Sequence, residues 1–129
     1  MTRPRLEGAA TIIGVADAAA SSRFYVDVLG FELRAGGGPD YALLARDEAA
    51  VILTGGADAE ALRATSRNVS VYVWAADLDA LWAELEPRLA ALPEGRVRPP
   101  FNQDYGMREF HVKDDDGALI FFGEEVAEA

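Results

Sequence analysis

The segment KDDDGALIFFGEE, which runs from Lys113 to Glu125, holds the strongest local signal in the chain. Three aspartates lead into Gly117, and an apolar run follows directly. An EF-hand loop with Gly117 at position 6 would place Val112 at position 1 and Gly123 at position 12, and neither side chain supplies an oxygen ligand. Asp and Gly are ordinary hairpin-turn residues. The segment therefore predicts a turn that starts a buried strand rather than a metal site.

The composition sets the broad class of the protein. A chain of 129 residues, half of them hydrophobic, is predicted to form a single domain, residues 1–129, with its own core. The formal net charge of -10 argues against nucleic acid as a partner, because phosphate neutralisation needs an excess of Lys and Arg. The same charge is compatible with a cationic ligand, and also with a simple role in solubility.

Several compartments and partners are disfavoured by what the sequence lacks. The absence of Cys excludes disulfides and thiolate metal sites. The sequence has no run of about 18 apolar residues, so no transmembrane helix and no membrane partner are predicted. The N-terminal stretch has two arginines but no apolar region behind them, so no signal peptide is predicted. We expect a cytoplasmic protein.

Two halves of the chain repeat one order of predicted elements, β-α-β-β-β. The first module spans residues 9–56, a polar connector with one helical turn spans 57–67, and the second module spans 68–125. Asp17 and Asp77 are placed to cap the two module helices, predicted over 18–29 and 78–92. The predicted strands are 10–15, 31–34, 41–45 and 50–54 in the first module and 69–74, 96–99, 107–112 and 118–122 in the second.

One such module cannot cover both faces of its strands. Two modules together can build a curved, cup-like mixed sheet with the helices on its outer side. The sequence therefore predicts an α+β fold made of two βαβββ modules.

Two motifs resemble the vicinal oxygen chelate superfamily, which includes glyoxalase I, extradiol dioxygenases, fosfomycin-resistance enzymes and bleomycin-resistance proteins. One is FY-x-x-x-LGF from Phe24 to Phe31, and the other is D-x-DG-x-L-x-x-F from Asp114 to Phe122. Within the superfamily, residues 68–85 and 105–125 are most similar to the bleomycin-resistance proteins. The resemblance implies a homodimer, often with an exchanged N-terminal strand, and ligand grooves at the dimer interface.

The metal ligands of the catalytic members of this superfamily are absent from the matching positions. Those members hold a divalent cation with His, Gln or Glu from four strands. The matching positions here are Ala10, Val51 or Leu53, Asn68 or Ser70, and Phe121. Because a divalent site needs several strong oxygen or nitrogen ligands, the resemblance predicts no metal, no cofactor and no catalytic residue.

Strand alternation selects a first group of candidate binding residues. If Phe110 and Val112 face the helices, then Met107, Glu109 and His111 face the cup. Glu109 and His111, the only histidine, would form a polar spot that binds a cationic or hydrogen-bonding ligand. A salt bridge at the dimer interface is the alternative interpretation.

Aromatic residues form the second group of candidates. Tyr105 lies in a polar loop, where the bleomycin-resistance pattern places an aromatic residue, and planar ligands stack on such side chains. Asn102 and Gln103 in the same loop would add hydrogen bonds. The other aromatic candidates are Tyr41, Tyr72, Trp74, Phe101 and Phe121. Tyr72, Trp74 and Phe121 are also compatible with a plain core role.

Three functions remain open on the sequence. The favoured one is a non-catalytic protein of the bleomycin-resistance type, which sequesters a planar or cationic antibiotic-like ligand in a groove at the dimer interface. The second is a glyoxalase- or dioxygenase-like metal-dependent lyase or oxygenase with a displaced metal site. The third is a partner module whose cup is filled by its own side chains.

Overall fold

The computed structural model describes residues 3–65 and 69–126 of the chain. In chain order, its elements are β1 (Ala9–Gly14), α1 (Ala18–Asp27), β2 (Glu32–Gly36), β3 (Tyr41–Arg46), β4 (Ala49–Thr54), α2 (Ala59–Thr65), β5 (Ser70–Trp74), α3 (Leu78–Leu89), β6 (Val97–Asn102), β7 (Met107–Lys113) and β8 (Leu119–Glu125). The predicted α+β class and the repeated βαβββ order are confirmed. None of the helices in these ranges is long and apolar enough to cross a membrane.

The strands form two four-stranded sheets of identical order, β1-β4-β3-β2 and β5-β8-β7-β6. In each sheet the first strand of the module pairs in parallel with the last, and the remaining pairs are antiparallel. The eight strands are therefore divided between two hydrogen-bonded sheets, one for each module, and are not joined in a single ladder.

Capping aspartates begin the two module helices as predicted. The Asp17 carboxylate accepts from the backbone N–H of Ala19 at 2.9 Å, and that of Asp77 accepts from Ala80 at 3.1 Å. Such caps satisfy backbone donors that have no partner within the helix. After α1 the chain turns at Gly30, where φ is +77° and an added Cβ would lie 2.9 Å from a guanidinium nitrogen of Arg46. The positive φ favours glycine there, because other residues adopt this conformation only with strain.

Several boundaries differ from the sequence prediction, among them the C-terminal ends of α1, at Asp27, and of β8, at Glu125. The helix α3 ends at Leu89 rather than at residue 92. The strand β6 extends to Asn102, beyond the predicted end at residue 99, because a bulge between Arg98 and Phe101 lets pairing with β7 continue past two prolines. The connector contains the seven-residue helix α2 instead of one turn, and its residues 66 and 67 lie outside the described residues.

The core of the second module lies between its sheet and α3. The ring of Phe110 stacks on Phe122 with centroids 4.9 Å apart, and its edge contacts Trp82 at 5.1 Å. Phe110 and Val112 are fully buried. Strand alternation therefore turns Glu109 and His111 to the other face of the sheet.

The aspartate turn between β7 and β8 connects the second module to helix α1 of the first. Asp114 is 2% exposed, and its carboxylate accepts from the Tyr25 hydroxyl at 2.8 Å and from the backbone N–H groups of Ala118 and Asp116 at 2.8 and 3.0 Å. The Ser21 hydroxyl donates to Asp116 at 2.8 Å. Burial raises the pKa of Asp114 even though these donors oppose the shift. The turn is thus a structural joint between modules.

A second joint connects the two modules, this time between a hairpin turn of the first module and the helix of the second. The turn between β3 and β4 contacts α3 through a bidentate ion pair, in which Arg46 donates to Glu84 at 2.6 and 2.9 Å. Arg88 of α3 also donates to the backbone carbonyl of Asp27 at 3.0 Å. Each module therefore places one hairpin turn against the helix of the other.

We expect Tyr25→Phe to lower the free energy of unfolding by about 2 kcal/mol, because it removes one donor from a buried carboxylate and keeps the ring. The ring still packs against Phe24 and Phe31, whose centroids lie 5.8 and 6.1 Å away. Urea denaturation followed by circular dichroism measures the change.

The control is Tyr41→Phe, because Tyr41 is 41% exposed on β3. Its effect is expected to stay below about 0.5 kcal/mol. Equal effects of the two substitutions would show that the Tyr25–Asp114 bond adds no stability.

Candidate ligand-binding face

The face of the second sheet that points away from α3 carries two rows of side chains across its four strands. In the first row Tyr72, Phe121, His111 and Arg98 are register neighbours from β5 to β6. In the second row Trp74, Gly123, Glu109 and Phe101 follow in the same order. We call this surface the aromatic face; its ring-bearing members, with Tyr105 from the loop between β6 and β7, are Tyr72, Trp74, Phe101, Tyr105, His111 and Phe121.

The rings of the aromatic face form a continuous surface. The His111 and Phe121 centroids are 4.1 Å apart, and those of Phe101 and His111 are 5.1 Å apart. Tyr72 stacks on Phe121 at 5.8 Å and contacts Trp74 at 5.2 Å. Trp74 is 76% exposed and Tyr105 is 61% exposed. A flat molecule can therefore reach these rings from solvent.

Glu109 lies beneath this surface, fully buried. Its carboxylate accepts from the hydroxyls of Tyr105 and Tyr72 at 2.6 and 2.8 Å and from the Gln103 amide at 3.0 Å, and it lies 2.8 Å from Nε2 of His111. Burial alone would raise the pKa of Glu109, but the four hydrogen bonds outweigh it and lower the pKa to about 2. Glu109 is therefore ionised at neutral pH.

The phenols remain protonated donors in this arrangement. Burial and the bond to Glu109 raise the pKa of Tyr72, and the bond to Glu109 raises the pKa of Tyr105. Tyr72 reaches the carboxylate across Gly123, where any added Cβ would collide with its hydroxyl. The absence of a side chain at residue 123 is thus a condition for the network.

Three predicted site residues lie elsewhere. The Asn102 side chain accepts from Arg108 at 3.1 Å, and Arg108 in turn contacts Asp79 of α3, so Asn102 lies on the helix side of the sheet. Met107 is partly buried at the first position of β7, at the margin of the aromatic face. Tyr41 belongs to β3 of the other sheet. The remaining predicted residues come together on or beneath the aromatic face: Tyr72, Trp74, Phe101, Gln103, Tyr105, Glu109, His111 and Phe121.

Two residues of the face were missed by sequence reasoning. Gly123 gives no signal, because its role is to leave space. Arg98 lies three residues before Phe101, and simple alternation would place the two on opposite faces. The bulge between them brings both to the same face, with the Arg98 guanidinium carbon 3.5 Å from the Phe101 ring centroid. Pro99 and Pro100 are the sequence feature that could have indicated the bulge, because proline within a sheet is found on edge strands and at bulges.

Two cavities adjoin Trp74. One, of about 420 Å³, opens between the edge strands β1 and β5 and is lined by residues 9–11 and 71–74. The other, of about 440 Å³, lies on the helix side between the modules, near Leu29 and Leu81. Both fall in the size range of small-molecule sites, and Trp74 forms part of the wall of each.

Comparison with known proteins agrees with this architecture. The sequence profile of the Glyoxalase/Bleomycin resistance protein/Dioxygenase superfamily matches residues 9–122. The chain belongs to this superfamily. A search of curated protein sequences gives no match.

Solved structures of the superfamily fold include both binding proteins and enzymes. The bleomycin-binding protein from Streptomyces verticillus, crystallised with copper(II)-bleomycin, is 27% identical, with a TM-score of 0.76 over 98% of this chain and 100% of that one. The bleomycin resistance determinant encoded on transposon Tn5 is 18% identical, with a TM-score of 0.73 over 93% and 98%. Lactoylglutathione lyase from Agrobacterium tumefaciens is 20% identical, with a TM-score of 0.66 over 95% of each chain. The last two show similarity of fold.

The positions that would supply a metal in this superfamily do not fit a cation here. Ala10 offers only a methyl group, Val51 and Leu53 are buried in the core, and Phe121 is part of the ring stack. Ser70 supplies a hydroxyl alone, and the alternative position, Asn68, lies outside the described residues. Within 3–65 and 69–126, no group of three or more His, Asp or Glu side chains is placed to hold a metal ion.

We expect Glu109→Gln to lower the free energy of unfolding at pH 7 by about 2 kcal/mol, after allowing for solvent screening at the open face. The pKa in the folded protein is about 2, below the ordinary value of 4.5, so ionised Glu109 stabilises the fold above pH 4.5. This contribution is lost as the pH falls toward 2. Urea unfolding of both proteins at several pH values measures the difference.

Glu125→Gln serves as the control, because Glu125 is exposed at the end of β8. Its stability is expected to match that of the unmodified protein within about 0.5 kcal/mol. A difference between Glu109→Gln and the unmodified protein that stays constant from pH 7 to pH 3 would refute the role assigned to the ionised carboxylate.

Proposed function

We propose that the protein is a non-catalytic binding protein that sequesters a planar or cationic, antibiotic-like small molecule in the cytoplasm. The observation that carries this proposal is the series of contacting rings, open to solvent at Trp74 and Tyr105, that surrounds the buried Glu109 carboxylate. Flat ring systems stack on such a surface, and a few fixed polar groups set their orientation.

The rigidity of the platform supports binding by stacking. Tyr105 sits on a loop, but its hydroxyl is held by Glu109 at 2.6 Å. The loop is closed by bonds from the backbone N–H of Gln103 to the Met107 carbonyl at 2.7 Å and from that of Val126 to the Gly106 carbonyl at 2.8 Å. A preorganised side chain loses little conformational freedom when a ligand arrives.

The negative charge of the protein supports a ligand that carries a positive charge. Glu109 is ionised, and the chain carries a net charge of -10. Exposed rings such as Trp74 attract cations through their π-faces, and an acidic field raises the local concentration of cations. The 27% identical relative that was crystallised with copper(II)-bleomycin makes bleomycin the first compound to test.

A homodimer is part of the proposal. On the open face of the first sheet, Ile12 is 65% exposed and is a register neighbour of Ile52, which in turn neighbours Leu43. An exposed apolar sheet face of this kind is typical of an interface. In a two-fold dimer this face would lie opposite the aromatic face of the second chain, and two equivalent grooves would form. Tyr41, on the same open face of the first sheet, would then line a groove.

We expect bleomycin, with or without its copper, to bind in saturable fashion and to quench Trp fluorescence. Tyr105→Ala is expected to weaken binding about tenfold, because it removes one exposed stacking ring. Calorimetry at low salt gives the affinity and the stoichiometry.

Two tryptophan variants make this test specific. Trp74→Phe should remove most of the quenching, whereas Trp82→Phe should preserve it, because Trp82 packs against Phe110 on the helix side. Absence of binding across a panel of glycopeptide and aromatic antibiotics would refute sequestration. Tight, stoichiometric zinc, nickel, manganese or iron after equilibration would instead support the metal-dependent lyase or oxygenase.

We expect Ile12→Lys to convert the dimer to a monomer, because it places a charge in the proposed apolar interface. Sedimentation velocity at micromolar concentration measures the change. Ala20→Lys, exposed on α1, adds the same charge on the helix side and should remain dimeric. Identical behaviour of the two variants would contradict the proposed interface.

A further inference from the structure

Arg98 is a cation without a charged partner on the aromatic face. Its guanidinium lies 3.5 Å from the Phe101 ring centroid, and within the described residues its side chain forms no ion pair or hydrogen bond. In a chain with 22 acidic and 12 basic residues, a cation has many available partners. Five other arginines do pair with carboxylates: Arg34, Arg46, Arg88, Arg96 and Arg108.

The pairing of β6 with β7 fixes Arg98 on this face of the sheet. Arg98 is the register partner of His111, and Phe101 is the partner of Glu109. Three steps along β6 therefore match two steps along β7, and the bulge in β6 contains the one extra residue. Pro99 and Pro100 occupy the bulge, and proline fixes φ and lacks a backbone donor. The arginine and the ring beneath it are therefore fixed side by side at the β6 edge of the sheet.

Stacking leaves the donors of Arg98 available. A guanidinium that rests on an aromatic ring keeps its N–H groups directed outward in its own plane. That fork matches the two oxygens of a carboxylate, and charge-assisted bidentate pairs are stronger than neutral hydrogen bonds. Arg98, which covers the Phe101 ring, can thus bind an oxyanion with its outward N–H groups while the rings of the ligand extend over the neighbouring His111 and Phe121.

The charges of the face are separated along the strands. Lys113 lies two residues beyond His111 on β7, exposed on the same side as Arg98. Glu125 lies two rows beyond Arg98, as the register partner of Met107. Glu109 is buried and its oxygens are taken by four donors of the chain, so it offers no free oxygen to a ligand. The two exposed cations therefore lie together at one end of the face.

We infer that the aromatic face selects planar ligands that carry an acidic oxyanion, which Arg98 binds at the β6 edge while the rings of the ligand stack over His111 and Phe121. The inference rests on the proposed binding function and specifies the class of ligand.

A matched series of anthracenes tests the inference. Anthracene-2-carboxylate, anthracene-2-carboxamide and 2-(aminomethyl)anthracene share one ring system and differ in charge. We expect the carboxylate to bind about tenfold more tightly than the amide. In Arg98→Gln the carboxylate should fall to the affinity of the amide, whose own affinity should be unchanged. Anthracene-2-sulfonate shows whether a tetrahedral oxyanion is accepted as well as a planar one.

Arg23→Gln is the matched control, because Arg23 is exposed on α1 and the substitution changes the net charge equally. It should keep the full preference for the carboxylate. The inference is overturned if Arg98→Gln keeps that preference, or if Arg98→Gln alters only self-association in sedimentation velocity. Tighter binding of the amine than of the carboxylate would also overturn it and favour a cationic ligand. Failure of all four anthracenes to bind would count against the stacking function itself.

Discussion

The buried carboxylate of Asp114 is the constraint on which the second module depends. A buried carboxylate is tolerated only when donors surround it, and here one donor, Tyr25, comes from the other module. This bond fixes the hairpin of β7 and β8 against α1. Because β7 carries Glu109 and His111, the same bond sets where the polar centre of the aromatic face lies. Two of the three aspartates, Asp114 and Asp116, thus serve the assembly of the two modules.

Much of this arrangement follows from local rules in the sequence. Period-two alternation from Phe110 places Glu109 and His111 together, and the capping aspartates begin both module helices. The rest depends on long-range geometry. The convergence of Tyr72, Gln103 and Tyr105 on one carboxylate joins residues from β5 and a loop, which spacing cannot reveal. Asn102 was placed in the groove by loop composition, but β6 continues through it and turns it toward α3.

The chemistry of this fold is determined by a few side chains on an otherwise shared scaffold. Of the four strand positions that match metal ligands in catalytic members of the superfamily, three are occupied here by apolar side chains, and one of these, Phe121, belongs to the ring series. The one strong anion of the face, Glu109, is saturated by four donors of its own chain. Its oxygens are committed to positioning rings. In the proposed function, recognition of the ligand rests on shape, stacking and a small number of charges instead of metal coordination.

The two joints between the modules occupy equivalent positions in the repeat, but they differ in how far they are buried. The Tyr25–Asp114 joint is buried, whereas the Arg46–Glu84 pair is about one-third to one-half exposed and open to screening by salt. Local opening of the domain should therefore begin where α3 contacts the turn between β3 and β4. The helix-side cavity lies at that contact. We therefore expect added salt to weaken the Arg46–Glu84 joint more than the Tyr25–Asp114 joint, so that the repeated fold opens more easily on one side than on the other.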